Sequence, residues 1–393
     1  MKRLECLDGL RGVLAVYVLL GHMAPFAVLP AGMQTAASHG TAAVDIFFVL
    51  SGLVITQSLQ ASGGRAAPFL IGRAMRIFPV YLAVFAFAVA VEPWSCGFEH
   101  MPWITGDSVA RRICSMESPH AWLPEIIAHL TMTHGLFPYG VLPDIWVSFL
   151  GSAWSLSTEW QFYLLALLLV GRGPRYLIWL LFGLAVVAVA WQASVPEARQ
   201  FTRAFLPNEA HFFALGVASM AVVRQDRGAL GRYGIVLAAT VAVCAAQGAI
   251  GKLLPPLVWT LCLAAQMRPA TPGFRQLNWI LRSPPALYLG SISYCLYLVN
   301  EPVHKVAGAL LGRLADGDPT LFTLLWVPAT IGMPLLASAW LHVRLEAPAL
   351  RWGRSAARRL APARQPAESA MTPPLSCSAA PSCRRRSAST PSS

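Results

Sequence analysis

An all-α, polytopic transmembrane bundle of about ten spans is the fold class this sequence predicts, and three observations predict it. Hydrophobic residues make up 56% of the chain, charged residues only 12%, and mean hydropathy is +0.54. A soluble domain carries about a quarter of its residues charged, roughly twice the share here. Apolar runs of about twenty residues, enough to cross a bilayer, follow one another along the chain, with basic residues clustered in every second gap.

Taken in order, the candidate spans fall at about 8–27, 42–60, 77–92, 153–171, 174–193, 204–223, 233–250, 253–267, 286–310 and 320–343. The third and eighth are short. The first follows Met1-Lys2-Arg3 with no small-residue cleavage site behind it, so it reads as a retained span. With the N-terminus in the cytoplasm, the inside loops hold Arg65, Arg73 and Arg76, then Arg172 and Arg175. Arg224, Arg227 and Arg232 follow, then Arg268, Arg275 and Arg282. Outside loops hold only Arg111, Arg112, Arg199, Arg203, Lys252 and Arg313. That asymmetry is the positive-inside pattern. It predicts a multi-pass protein of the cell inner membrane with both termini cytoplasmic. The net charge of +12 belongs to these loops and the tail, so it argues for a lipid bilayer and not for nucleic acid.

The longest outside loop, about 93–152, carries Trp94, Trp103, Trp122 and Trp146. These read as interfacial anchors or as platforms for a sugar. Cys96 and Cys114 share that loop and can pair if it faces an oxidising compartment; two free thiols is the alternative. Cys244, Cys262 and Cys295 lie in apolar runs and read as small hydrophobes. Residues 1–350 form the membrane domain. Residues 351–393 form a basic cytoplasmic tail, rich in Ser, Pro and Arg and without apolar period from Ser355 onward, and predicted disordered. Its Arg384-Arg385-Arg386 run can touch anionic lipid or be inert.

Ionisable residues inside apolar runs are expensive and mark function. Arg11 and His22 share the first span, roughly 16 Å apart along a helix axis. One lies near each side of the bilayer, which suits a reaction whose two substrates arrive from opposite faces. The second and fourth spans enter from outside, so Asp45 and Glu159 are expected at the depth of His22, as a base with an orienting acid. Arg73 and Arg76 lie three apart and share a helix face. Guanidinium groups grip phosphate, so with Arg11 they suit a phosphorylated cytoplasmic donor. Each polar group alone can serve only to hold helices together; the three matched in depth point to chemistry. A proton-coupled transporter or exporter of a glycan or small molecule would use the same groups as a relay. Such folds show two related halves, and no internal echo is visible here.

Together these segments resemble the acyltransferase-3 family of integral membrane O-acyltransferases, which decorate O-antigens, Nod factors, exopolysaccharides and macrolides. Leu7-Asp8-Gly9-Leu10-Arg11-Gly12 with His22 matches its arginine–histidine signature, and Asp45 through Gly52 its second motif. Arg73, Arg76, Ile77, Pro79 and Tyr81 match the third, and Trp154-Ser155-Leu156 with Glu159, Phe162 and Tyr163 the fourth. Phe212 to Gly216, Leu289 to Leu298 and Glu346-Ala347-Pro348 match later ones. The resemblance implies an O-acyltransferase using acetyl-CoA or another short acyl-CoA as donor substrate, with no permanently bound cofactor and no metal. The acceptor is a carbohydrate or another hydroxyl compound. It implies catalysis by His22 with Asp45 or Glu159, and acyl-CoA or substrate binding by Arg11, Arg73, Arg76, Ser51, Tyr81 and Trp154. Direct transfer, an acyl-His step and an acyl-Ser step at Ser51 all stay open. The chain departs from the family after Leu298, where many members carry a histidine and this one has Asn300-Glu301. His304, one turn on, can substitute or be a plain helix-end histidine.

Overall fold

A computed structural model describes residues 4–360 other than 38 and 249. The regular structure among them is helical, apart from one isolated bridge between Pro138 and Phe201. The helices are α1 (Glu5–Met23), α2 (Ala31–Ala37), α3 (Gly40–Ala61), α4 (Ala66–Val91) and α5 (Val109–Glu117). Next come α6 (Trp122–Leu130), α7 (Trp154–Leu168), α8 (Pro174–Ser194), α9 (Leu206–Val223) and α10 (Ala229–Ala246). The last are α11 (Leu254–Met267), α12 (Pro272–Leu281), α13 (Pro284–Ala315), α14 (Pro319–Leu341) and α15 (Ala347–Arg359). The ten expected spans correspond in order to α1, α3, α4, α7, α8, α9, α10, α11, α13 and α14. Eight of these are long and apolar enough to cross a membrane. The other two are α7, only 15 residues long, and α13, which carries Asn300, Glu301, His304 and Lys305 among its 32.

Lipid tails are as apolar as leucine, so helices in a bilayer associate through close packing at small residues. Two such contacts organise the bundle. α1 lies on α13, and a Cβ added at Gly12 would stand 2.6 Å from both the Ala286 carbonyl oxygen and the Gly290 nitrogen. α3 lies on the buried central helix α9, where a Cβ at Gly52 would stand 3.0 Å from the Gly216 Cα. Ring contacts add to it: Phe213 of α9 stacks 4.9 Å from Phe48 of α3 and lies tilted 4.4 Å from Phe162 of α7.

Three boundaries differ from the sequence expectation. α4 starts at Ala66, about three turns before the expected span, so Arg73 and Arg76 belong to the helix and not to a loop. Pro79 lies inside α4 without ending it, as membrane helices tolerate; the Tyr294 hydroxyl of α13 donates to the Ile77 carbonyl of α4 at 2.7 Å. Residues 351–359, assigned to the tail, are the end of α15. Gly353 seats that helix against Met75 of α4, with room for no side chain: a Cβ there would be 2.8 Å from the Met75 Cβ. The rest of the expected tail, 361–393, lies outside the described residues.

The third difference matters most for the site. Between α4 and α7 the chain forms α5 and α6, tied to residue 96 by a Cys96–Cys114 disulfide. It then runs irregularly into the bundle. Phe149, Leu150 and Ala153 are fully buried. The amides of Gly151 and Ser152 donate to the Glu301 carboxylate, at 2.6 and 2.8 Å, midway along α13. α7 therefore begins within the protein and not at its surface.

Candidate active site

Two cavities open at the two ends of α1. The first, about 270 Å³, is lined by Arg11 of α1, Arg73 and Arg76 of α4, Ser51 of α3, and Glu159 and Tyr163 of α7. The second, about 880 Å³, is lined by His22, Gln34, Trp103, Asp107, Ser152 and Trp154, among others. Tyr297 of α13 lines both, and its hydroxyl shares a 2.8 Å hydrogen bond with Ser155.

The first cavity is basic because the bundle holds its arginines in place. Arg76 is ion-paired with the buried carboxylate of Glu346 and lies 5.2 Å over the Tyr294 ring. Glu346 is held in turn by His342 at 2.8 Å and by the Cys295 thiol at 3.2 Å. Arg73 keeps its Nε buried without a protein partner among the described residues. Glu159, the one carboxylate lining the cavity among the described residues, accepts from the Ser51 hydroxyl at 2.5 Å. Three guanidinium groups around an otherwise largely apolar hollow are equipped to hold an anionic, phosphate-bearing ligand with an apolar end.

The second cavity carries His22. Its Nδ1 lies 2.7 Å from the Oδ1 of the fully buried Asn300. His22 also lines a side chamber of about 70 Å³, together with Glu117, Glu301, His304 and Lys305. Lys305 joins Glu92 at 3.1 Å and Glu117 at 3.3 Å, and donates to the Phe149 carbonyl at 3.0 Å. Burial, and then the facing Glu301 carboxylate, push the Glu117 carboxyl well above its ordinary range; Lys305 opposes the shift.

The structure brings together Arg11, Arg73, Arg76, Ser51 and Glu159, and separates them from His22. The expected grouping of His22 with Asp45 and Glu159 needs correction. Asp45 is buried and bonded to Arg203 at 2.6 Å. Arg203 also binds Glu209 at 2.9 Å and lies 5.0 Å over Trp154, and Lys252 joins Glu209 at 3.1 Å. A buried carboxylate needs a cation partner, and the chain brings Arg203 to Asp45 from the segment before α9. Glu159 sits at the arginine end because α7 starts inside the bundle; counting its depth from a loop at the membrane surface put it about a cavity too high.

Of the other expected binding residues, one lines neither cavity. Tyr81 is buried, donates to the His129 carbonyl at 3.0 Å, and is not among the residues lining either cavity. Trp154, expected to bind acyl-CoA or substrate, lines the His22 cavity and not the basic one. Sequence reasoning missed Asn300 as the partner of His22, Glu301 as the anchor of the inward loop, and Glu346 as the partner of Arg76. Asn300-Glu301 stood out as a polar pair in an apolar run, and Glu346-Ala347-Pro348 as a motif, but neither names its partner in the sequence.

A helical membrane bundle with a basic cavity at one end and a histidine cavity at the other defines the class: a multi-pass membrane enzyme. The chain belongs to the acyltransferase-3 family, whose model, described as an acyltransferase domain, matches residues 4–343. It is 30% identical over 387 residues to acyltransferase MdmB of Streptomyces mycarofaciens, covering 89% of this chain and 92% of that one. It is 28% identical over 337 residues to peptidoglycan O-acetyltransferase OatA of Listeria monocytogenes, covering 77% of this chain and 49% of OatA, so it spans about half of that relative. Protein 2 in the picA locus of Rhizobium radiobacter is 34% identical over 93 residues, 23% of this chain and 46% of that one. No solved structure matches. The protein is a membrane O-acyltransferase.

Proposed function

We propose that this enzyme moves an acetyl or other short acyl group from acyl-CoA to a hydroxyl of a carbohydrate acceptor, across the cell inner membrane. The arginine cavity faces the cytoplasm with both termini, and the His22 cavity faces outward. One observation carries the reading: two cavities of opposite character occupy the two ends of one bundle, with Tyr297 in the wall of each. The positive-inside loops support the orientation, and a peptidoglycan O-acetyltransferase among the relatives supports a glycan hydroxyl as acceptor.

In this reading Arg11, Arg73 and Arg76 hold the CoA phosphates, and the thioester end reaches past Ser51 and Glu159 to the shared wall at Tyr297 and so to the His22 cavity. The acceptor enters beside Trp103 and Trp154. His22 takes the hydroxyl proton as the oxygen attacks the thioester carbon, and no permanently bound cofactor takes part. A positioned base contributes about 10²–10⁴-fold. The test is His22→Ala in membranes supplied with labelled acetyl-CoA and the native acceptor pool. Label transfer should fall by about that factor while acetyl-CoA still binds. Undiminished transfer would remove His22 from the chemistry. Counting ester groups on surface glycans with and without the gene tests the acceptor class.

A further inference from the structure

We infer that Asn300 is the positioning residue that makes His22 a base, by fixing which of its ring nitrogens carries the proton. The inference rests on the reading of His22 as base, and goes beyond it by assigning the tautomer and the group that sets it.

The argument starts from what an amide can donate. The Asn300 Nδ2 lies 2.9 Å from the Leu296 carbonyl oxygen and 2.7 Å from the Tyr297 carbonyl oxygen, one turn back along α13. Carbonyls only accept, so the atom facing them is the NH₂ group, and its two hydrogens are both engaged. Oδ1 is left as the atom facing His22, at 2.7 Å from Nδ1. An amide oxygen cannot donate. Nδ1 must therefore carry the hydrogen and donate it, and in the neutral ring Nε2 then carries the lone pair. Asn300 is fully buried, so no solvent competes for that oxygen. The same logic governs catalytic histidines whose second nitrogen is held by a neighbour.

The chemistry needs this tautomer. Nε2 accepts the hydroxyl proton as the acceptor oxygen bonds to the thioester carbon. When the carbon–sulfur bond breaks, Nε2 returns that proton to the departing CoA thiolate, and the ring ends as it began. With the proton on Nε2 instead, the ring has no lone pair to offer the acceptor unless it turns over. An amide oxygen holds the ring without a full charge, so Asn300 stabilises the imidazolium formed during attack less than a carboxylate would. Other groups around His22 can tune it: Glu117 of α5 and Glu301, His304 and Lys305 of α13 line the side chamber, and Asp107 lines the larger cavity.

The test is threefold. Nitrogen-15 histidine spectra of the purified enzyme in detergent, with His22→Gln assigning the signal, should report a neutral ring protonated at Nδ1; a ring protonated at Nε2 overturns the inference without any loss-of-function variant. Asn300→Leu, of similar volume, should lower kcat at least tenfold with the KM for acetyl-CoA unchanged. In Asn300→Leu the same spectra should show His22 protonated at Nε2 or a mixture of both neutral tautomers, a change that a purely structural Asn300 would not produce. Wild-type kcat in Asn300→Leu, or a His22 ring still protonated at Nδ1 alone in that variant, overturns the inference. His22→Ala separates the two readings: if it is inactive while Asn300→Leu is normal, only the role of Asn300 fails, and if it is active both fail.

Discussion

The arginine end and the histidine end of α1 are built by different means. Arg11, Arg73, Arg76, Ser51 and Glu159 all project from helices of the bundle, and their cavity is a product of helix packing. The histidine cavity is closed by α2, by α5 and by the loop that dives to Gly151 and Ser152. Those parts are held by point attachments: the Cys96–Cys114 disulfide, the Glu301 carboxylate on two amides, and Lys305 between Glu92, Glu117 and a carbonyl. The contrast fits two demands. An invariant donor suits a preformed rigid hollow, whereas loops can vary around an acceptor without disturbing the helices beneath.

The comparison breaks first at Arg76 and Glu346. Arg76→Leu leaves Glu346 buried without its cation and should cost about 3–5 kcal/mol of stability, whereas Arg76→Leu with Glu346→Leu should recover most of it. Thermal unfolding of the detergent-purified variants measures both. If single and double variants melt alike, the basic end is not held by this pair. The next effect belongs to the other end. Removing the disulfide with Cys96→Ser and Cys114→Ser opens a closure of 18 residues, worth about 3 kcal/mol. It should raise the acceptor KM and the protease sensitivity of residues 95–153, with the acetyl-CoA KM constant. A matched rise in both KM values would mean that the two ends are one mechanical unit.

If the proposed grip on the CoA phosphates holds, Arg73→Ala removes a charge-assisted contact worth about 1.5–3 kcal/mol. The apparent acetyl-CoA KM should rise by about tenfold or more, with little change in kcat at saturation; a pure turnover defect would contradict a phosphate role. The smallest effect expected is at Glu117. Its folded carboxyl binds a proton more tightly than in the unfolded chain, where the ordinary value is 4.5. That preference stabilises the fold fully below 4.5, and the contribution is lost as pH rises through the folded value. Glu117→Gln mimics the protonated form, so its melting temperature should fall less than the parent's between mildly acidic and alkaline pH. Parallel melting curves would place Glu117 in its charged state throughout.

How far the sequence could be read follows the same divide. Arg11, Arg73 and Arg76 were legible because helix period converts spacing directly into face and depth. Glu159 was placed at the wrong level because depth was counted from the nearest loop, and the loop before α7 does not stop at the membrane surface. Nothing local marks that inward course. Its anchor, Glu301, is 150 residues away from Gly151. Asp45 failed for a related reason: its partner, Arg203, reads as an ordinary loop cation until α3 and α9 are brought together. Asn300 was visible only as a departure from the family pattern, because a tautomer depends on a neighbour that sequence distance hides.

The contact of α1 with α13 at Gly12 and Gly290 has a consequence for how the two ends stay in register. Eleven residue steps turn an α-helix by about three full revolutions plus 20°, so Arg11 and His22 point almost the same way. Seated backbone against backbone, α1 has no freedom to roll. A single residue inserted between Gly12 and His22 would advance the imidazole by only about 1.5 Å but swing it by about 100°, away from Asn300 and out of its cavity. The helix behaves as a ruler that tolerates no added notch, while the loops around its far end remain open to insertion.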